Sequence, residues 1–218
     1  MATSRVKLLL ALTSPIALLK LNNSDLISHA ISVAESFCVE NGSHTHLSIA
    51  APSDLMESVR NCCTQMKIQP ELIEVDPLDP AALVSALASA KEFEILGIHD
   101  AQRPLTRAAQ FHRVLGALVG GAGAARPDMA FTETLKIVDD EGVLIRTVDR
   151  NSIRRLSTPE FYQKSAIDFS GKSSTWFLPL VAGTTTTQVE TDPESLRANT
   201  NAEVELLEAL LHWQQKVV

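Results

Sequence analysis

Positive charge is in short supply in this chain: 19 Lys and Arg stand against 26 Asp and Glu, for a formal net charge of -7. That balance argues against nucleic acid or an anionic membrane as the main partner, so any phosphate has to be recognised in a local pocket. Cysteine is scarce as well. Cys38, Cys62 and Cys63 make an odd count without CxxC spacing, which excludes a disulfide framework and a thiolate metal site and suits a reducing cytoplasm. Glycine is concentrated in one stretch, Gly120-Gly121-Ala122-Gly123. This stretch follows a helical pattern and lacks the downstream Lys-Ser/Thr of a P-loop, so it reads as a helix stop. Long apolar runs are missing too. Arg5 and Lys7 ahead of LLLALTSPIALL imitate a secretory signal, but Pro15 and Lys20 interrupt it well short of the ~20 residues of a membrane span. A buried first strand is the expectation. No G-x-S-x-G or Cys/His nucleophile pattern occurs, and His44-Thr45-His46 has no third metal ligand near it.

What is present is an alternation of short apolar runs and helical patterns. Val6 to Leu12, His46 to Ala51, Leu72 to Val75 and Ile95 to Ile98 read as strands. Between them, helices start at Asn22-Asn23-Ser24-Asp25, Pro52-Ser53-Asp54 and Asp79-Pro80, the last running through Ala90, and another spans Thr106 to Val119. The pattern predicts an α/β fold, Rossmann-like, with a mostly parallel sheet and helices on both faces. After Ala125 the texture changes. Thr134 to Val138 and Val143 to Val148 flank the turn Asp139-Asp140-Glu141-Gly142, a β-hairpin signal. One domain over 1–218 is expected, with 132–150 as a protruding hairpin arm that needs a surface to pack on. A helix is expected to start at Thr158-Pro159-Glu160 and another to span Asn201 to Gln215; Ser170 to Thr187 stays unassigned.

The stretch Glu94 to Pro104, EILGIHDAQRP, carries the first sign of chemistry. A strand ends there in His99-Asp100, and Arg103 follows at once. In open α/β sheets ligands sit beyond the carboxyl ends of strands. A carboxylate and a guanidinium released together there suit a divalent metal and a phosphate.

Four motifs in order extend this reading. His99-Asp100-Ala101-Gln102-Arg103-Pro104, Glu133-Thr134-Leu135-Lys136, Thr147-Val148-Asp149-Arg150 and Ser157-Thr158-Pro159-Glu160-Phe161 are similar to HDAARP, D-T-x-K, T-x-D-R and T-P-Q-x-F. Those are motifs of the methylerythritol-phosphate cytidylyltransferases, CTP-using nucleotidyltransferases of isoprenoid biosynthesis. The resemblance implies catalytic roles for Asp100 and Arg103, with Asp100 next to a Mg²⁺ ion if the protein is active. It implies acceptor-substrate roles for Thr134, Lys136, Arg150 and Thr158. It implies a homodimer through the 132–150 arm, and a sugar-phosphate and CTP as small-molecule partners. Ser195-Leu196-Arg197-Ala198-Asn199 lines up with the family's N-I-K-V-T, which makes Arg197 a nucleotide-side cation, and Lys20 is the other cation nearby.

The chain also departs from the family pattern. Family members follow the first strand with A-A-G-x-G-x-R, a loop whose backbone wraps the CTP phosphates. Here Leu10-Ala11-Leu12-Thr13-Ser14-Pro15 runs almost directly into Leu18-Leu19-Lys20, and no glycine precedes Gly42. Asp79 and Ala82 stand at the arginine and serine of a G-G-x-x-R-x-x-S segment, and Ser173-Ser174-Thr175-Trp176 replaces T-D-E-A. The expected function is therefore cytidylyl transfer to methylerythritol phosphate, impaired on the nucleotide side. The alternative is a catalytically silent, dimeric sugar-phosphate-binding or regulatory homologue.

Overall fold

A computed structural model describes residues 4–88, 93–172 and 174–217, with side chains to 213. The strand Val6–Ala11 (β1) lies at the centre of the main sheet, every residue buried. Leu8 and Leu10 point to one face and Leu9 and Ala11 to the other, which is why its sequence is continuously apolar rather than alternating. A tight turn Pro15–Leu18 follows, then the short pair Lys20–Leu21 (β2) and Ser24–Asp25 (β3). Helix α1, Leu26–Asn41, ends at Gly42, whose φ of 97° falls where only glycine sits without strain. Next come Thr45–Ala51 (β4), Met56–Met66 (α2), Glu71–Glu74 (β5) and Pro80–Ala88 (α3). The Asp79 carboxylate caps α3 by accepting from the N–H groups of Ala81 and Ala82. The helix expected to reach Ala90 is described to Ala88, and the rest lies outside the described residues.

Ile95–Asp100 (β6) returns to the other edge of β1, followed by Ala108–Val119 (α4) and Ala124–Ala130 (β7). Strands β5, β4, β1 and β6 are all parallel. The connection order reverses between β1 and β6, whose last residues Ala11 and Asp100 are register partners. Ligands of open α/β sheets collect at such a switch point. Helices α1, α2 and α4 cover one face through Ile27, Ile31, Val59, Phe37 and Phe111. The other face is covered by Leu83 and Leu87 of α3 and by Trp176, Phe177 and Leu178.

Two small strands, Lys136–Val138 (β8) and Leu144–Thr147 (β9), pair antiparallel as a separate sheet, the hairpin that the turn residues announced. After it come Arg154–Leu156 (β10), Glu160–Gln163 (β11) and Thr186–Glu190 (β12), and the final helix Asn201–Val217 (α5). Residues 124 and 125 of β7 pair with both β11 and β12, which therefore lie on opposite edges of β7.

One expectation fails, and two stretches that the sequence left unassigned take a definite form. The helix expected at Thr158-Pro159-Glu160 is instead a cis Thr158–Pro159 bond leading into β11. Pairing on both edges of the strand wins there, and Glu160, Phe161 and Tyr162 are all buried: on one face Glu160 accepts from the Tyr162 hydroxyl and the Phe177 N–H, while Phe161 packs near Phe37 on the other. The strand β7 carries Pro127 and two charges, weak strand formers that pairing on both edges overrides. The segment left open at 170–187 runs over the α3 face and enters β12, with Ser173 outside the described residues.

Candidate active site

Asp100 ends β6 and Thr13 lies just beyond the end of β1, so the parallel register brings them together at the switch point. The Asp100 carboxylate is buried. Its Oδ2 accepts from Arg197 Nε at 2.6 Å, and its Oδ1 accepts from the Gln102 N–H at 3.0 Å and lies 3.5 Å from Thr13 Oγ1. Arg197 does more than pair with one acid. One terminal nitrogen, Nη2, donates to Thr13 Oγ1 at 3.0 Å and to Gln102 Oε1 at 2.8 Å, while Nη1 donates to Asn199 Oδ1. Gln102 in turn accepts from Thr13 Oγ1 at 2.8 Å and donates to the Ala198 carbonyl at 2.5 Å. The segment 195–199 is thereby fastened over the ends of β1 and β6.

Arg103 fastens the same segment from below. Its guanidinium donates to the Ser195 carbonyl at 2.6 Å and to the Leu156 carbonyl at 3.0 Å. Burial pulls its pKa down to about 10, opposed by the Asp100 charge, so it stays cationic at neutral pH. Its Nε is buried without a hydrogen-bond partner among the described residues.

His99 and Thr158 form a second layer behind the carboxylate. Burial drives the His99 pKa down to about 4, so the ring is neutral at pH 7. Nε2 faces the Arg103 carbonyl at 3.3 Å, which can only accept, so the proton is on Nε2 and Nδ1 accepts from the Thr158 hydroxyl at 2.9 Å. The same hydroxyl accepts from the Asp100 N–H at 3.1 Å. Thr158 thus positions the backbone of Asp100 and the ring of His99. Gln110 of α4 completes the support. Its side chain donates to the Thr158 carbonyl at 2.7 Å and accepts from the Asp192 N–H at 2.5 Å.

A hollow of about 400 Å³ opens beside this cluster, lined by Arg103, Arg155, Arg197, Leu196 and Leu206. A larger one of about 850 Å³ lies along β7, β10 and β12, next to the root of the arm. Three guanidiniums line the smaller one, and that of Arg197 pairs with Asp100. The remaining residues singled out in the sequence sit apart. Lys20 pairs with Asp25 at 2.8 Å on the β2–β3 turn. Thr134, Lys136 and Arg150 are exposed on the arm, where Lys136 donates to Thr147 and Arg150 to the Thr132 carbonyl. Among the described residues no hydrogen bond joins them to Asp100 or Arg103. Thr13, Gln102, Asn199 and Arg155 had not been singled out. For Gln102 and Asn199 a signal existed: each differs from the family motif it lies in.

The Mg²⁺ ion implied at Asp100 does not fit the donors as they stand. One carboxylate oxygen is held by a cation at 2.6 Å and the other by a backbone N–H.

The family model described as IspD, 2-C-methyl-D-erythritol 4-phosphate cytidylyltransferase, matches residues 10–175. The cytidylyltransferase of that name from Saccharopolyspora erythraea is 26% identical over 207 residues, which covers 90% of this chain and 91% of the relative. The crystal structure of 4-diphosphocytidyl-2C-methyl-D-erythritol synthase from Anaerococcus prevotii shares the fold. It superposes with a TM-score of 0.74 at 13% identity, over 96% of this chain and 99% of that one. The cytidylyltransferase from Thermus thermophilus gives 0.68 at 18% identity, over 94% and 98%. With a family match that runs from β1 past β11, the chain belongs to the 2-C-methyl-D-erythritol 4-phosphate cytidylyltransferase family.

Proposed function

We propose that this chain keeps the acceptor half of a cytidylyltransferase and handles the nucleotide poorly, so that CMP transfer from CTP to methylerythritol phosphate is impaired. One observation carries this reading. A triphosphate cradle needs several backbone N–H groups free to converge on phosphate oxygens. In the turn after β1, Ile16 N–H donates to Ser14 Oγ, Ala17 N–H to the Ser14 carbonyl and Leu19 N–H to the Ile16 carbonyl. Pro15 has no N–H to give. Three donors of that turn are thus spent on the turn itself.

The acceptor half is different. Arg103, Arg155 and Arg197 offer a cationic hollow beside Asp100, suited to a phosphomonoester. Thr134, Lys136 and Arg150 serve the same acceptor if the arm reaches a second copy, which makes the working unit a homodimer. A second reading, a silent dimer that binds sugar phosphate, is favoured by the hold of Arg197 on Asp100.

Pyrophosphate release from CTP, methylerythritol phosphate and Mg²⁺ tests the proposal, together with calorimetry of CTP binding. Loss of one well-placed phosphate donor slows transfer roughly 10²–10³-fold. Turnover should therefore fall at least ~10²-fold below a typical ~10 s⁻¹. Turnover near that typical value would overturn impairment. Neither release nor CTP binding would leave the silent dimer.

A further inference from the structure

Residues from three distant parts of the chain converge on one carboxylate. Thr13 follows the first strand, Gln102 lies in the turn after β6, and Arg197 and Asn199 belong to the segment before α5. These residues hydrogen-bond one another around Asp100.

The chemistry of the cluster suits a guanidinium and no other side chain. Arg197 uses Nε on Asp100, Nη2 on both Thr13 and Gln102, and Nη1 on Asn199. A planar fork reaches acceptors on several sides at once, whereas an ammonium on a flexible stem is a point charge. Gln102 is itself held by the Ala198 carbonyl, so its oxygen is turned toward the guanidinium. The Asp100 charge is already compensated, and the compensating group is covalently part of the chain.

We propose that Arg197 is a built-in cation that takes the place of a divalent metal at Asp100 and thereby sets the metal use of this site. A divalent ion approaching the carboxylate meets a fixed positive charge that already neutralises it. The proposal goes beyond impaired transfer, and its test uses neither nucleotide nor acceptor, so either can fail alone.

Mn²⁺ alone is the probe, followed by electron paramagnetic resonance on the wild type, Arg197→Ala, Asp100→Asn and the double variant. The wild type and D100N should bind Mn²⁺ equally weakly. R197A should gain one saturable site, tighter by roughly tenfold or more once the repelling charge is gone, and the double variant should lose it. Of these four proteins, R197A alone should show a rise in unfolding midpoint with Mn²⁺. Arg197→Gln keeps hydrogen-bonding capacity without charge and should behave as R197A does, which covers the case of an unstable alanine variant. A wild-type site abolished by D100N would overturn the proposal, as would folded R197A or R197Q with no gain.

Discussion

At the scale of single residues, His99 carries the clearest pH dependence. Its neutral ring accepts from Thr158 and donates to the Arg103 carbonyl, so protonation would break the Thr158 bond in a fully buried site. The folded pKa of about 4 lies below the ordinary 6.5. As pH falls below about 6.5 the unfolded chain takes up a proton that the folded chain refuses. Stability from this group is therefore complete above 6.5, lost on the way down to about 4, and unchanged further below. The loss is roughly 3 kcal/mol. Urea unfolding of the wild type and His99→Gln between pH 7.5 and 4.5 should show a difference that shrinks across this window. Parallel curves would disprove the assignment. The sequence made Asp100, Arg103 and Arg197 legible because charged residues at strand ends and in motifs announce themselves. It could not show that Thr158 turns inward to His99, or that Thr13 and Gln102 meet Arg197, because those contacts join residues 59 to 184 positions apart.

At the scale of elements, the position of β6 depends on Gly97. A Cβ there would lie 2.6 Å from Phe161 Cε1, 2.9 Å from Cζ and 3.0 Å from Leu8 Cδ1. The Phe161 ring is pinned near Phe37 and its strand is paired on both edges, so it has nowhere to retreat. Gly97→Ala should cost about 1–3 kcal/mol by overpacking, read from the urea midpoint. Phe161→Leu relieves the clash, so the double variant should cost less than the two single changes together; strict additivity would count against direct contact. The central strands and the first four helices were legible because apolar runs and helix starts coincide with burial. The strands β7, β10 and β11 were not. Their residues gain strand geometry from neighbours across the sheet, and Thr-Pro-Glu carries a local helix signal that this pairing defeats.

At the scale of the whole molecule, the unexplained feature is the arm. A lone two-stranded hairpin is marginal in water, yet β8–β9 stands apart from the main sheet and exposes Val138, Val143, Leu144 and Ile145 at 49%, 60%, 65% and 60%. The turn signal made the hairpin legible, but a single chain cannot state what covers it. In the homodimer proposed above, a second copy would bury these side chains and bring Thr134, Lys136 and Arg150 to another chain's Asp100. Sedimentation should then give twice the chain mass. Leu144→Asp with Ile145→Asp places two charges where apolar contact is required and should yield a folded monomer. Because the arm then donates no residues, inorganic phosphate should bind that monomer more weakly, as Arg150→Ala should also show without dissociating the dimer. A monomeric wild type would remove the arm from the site. So would a dimer that survives both aspartates.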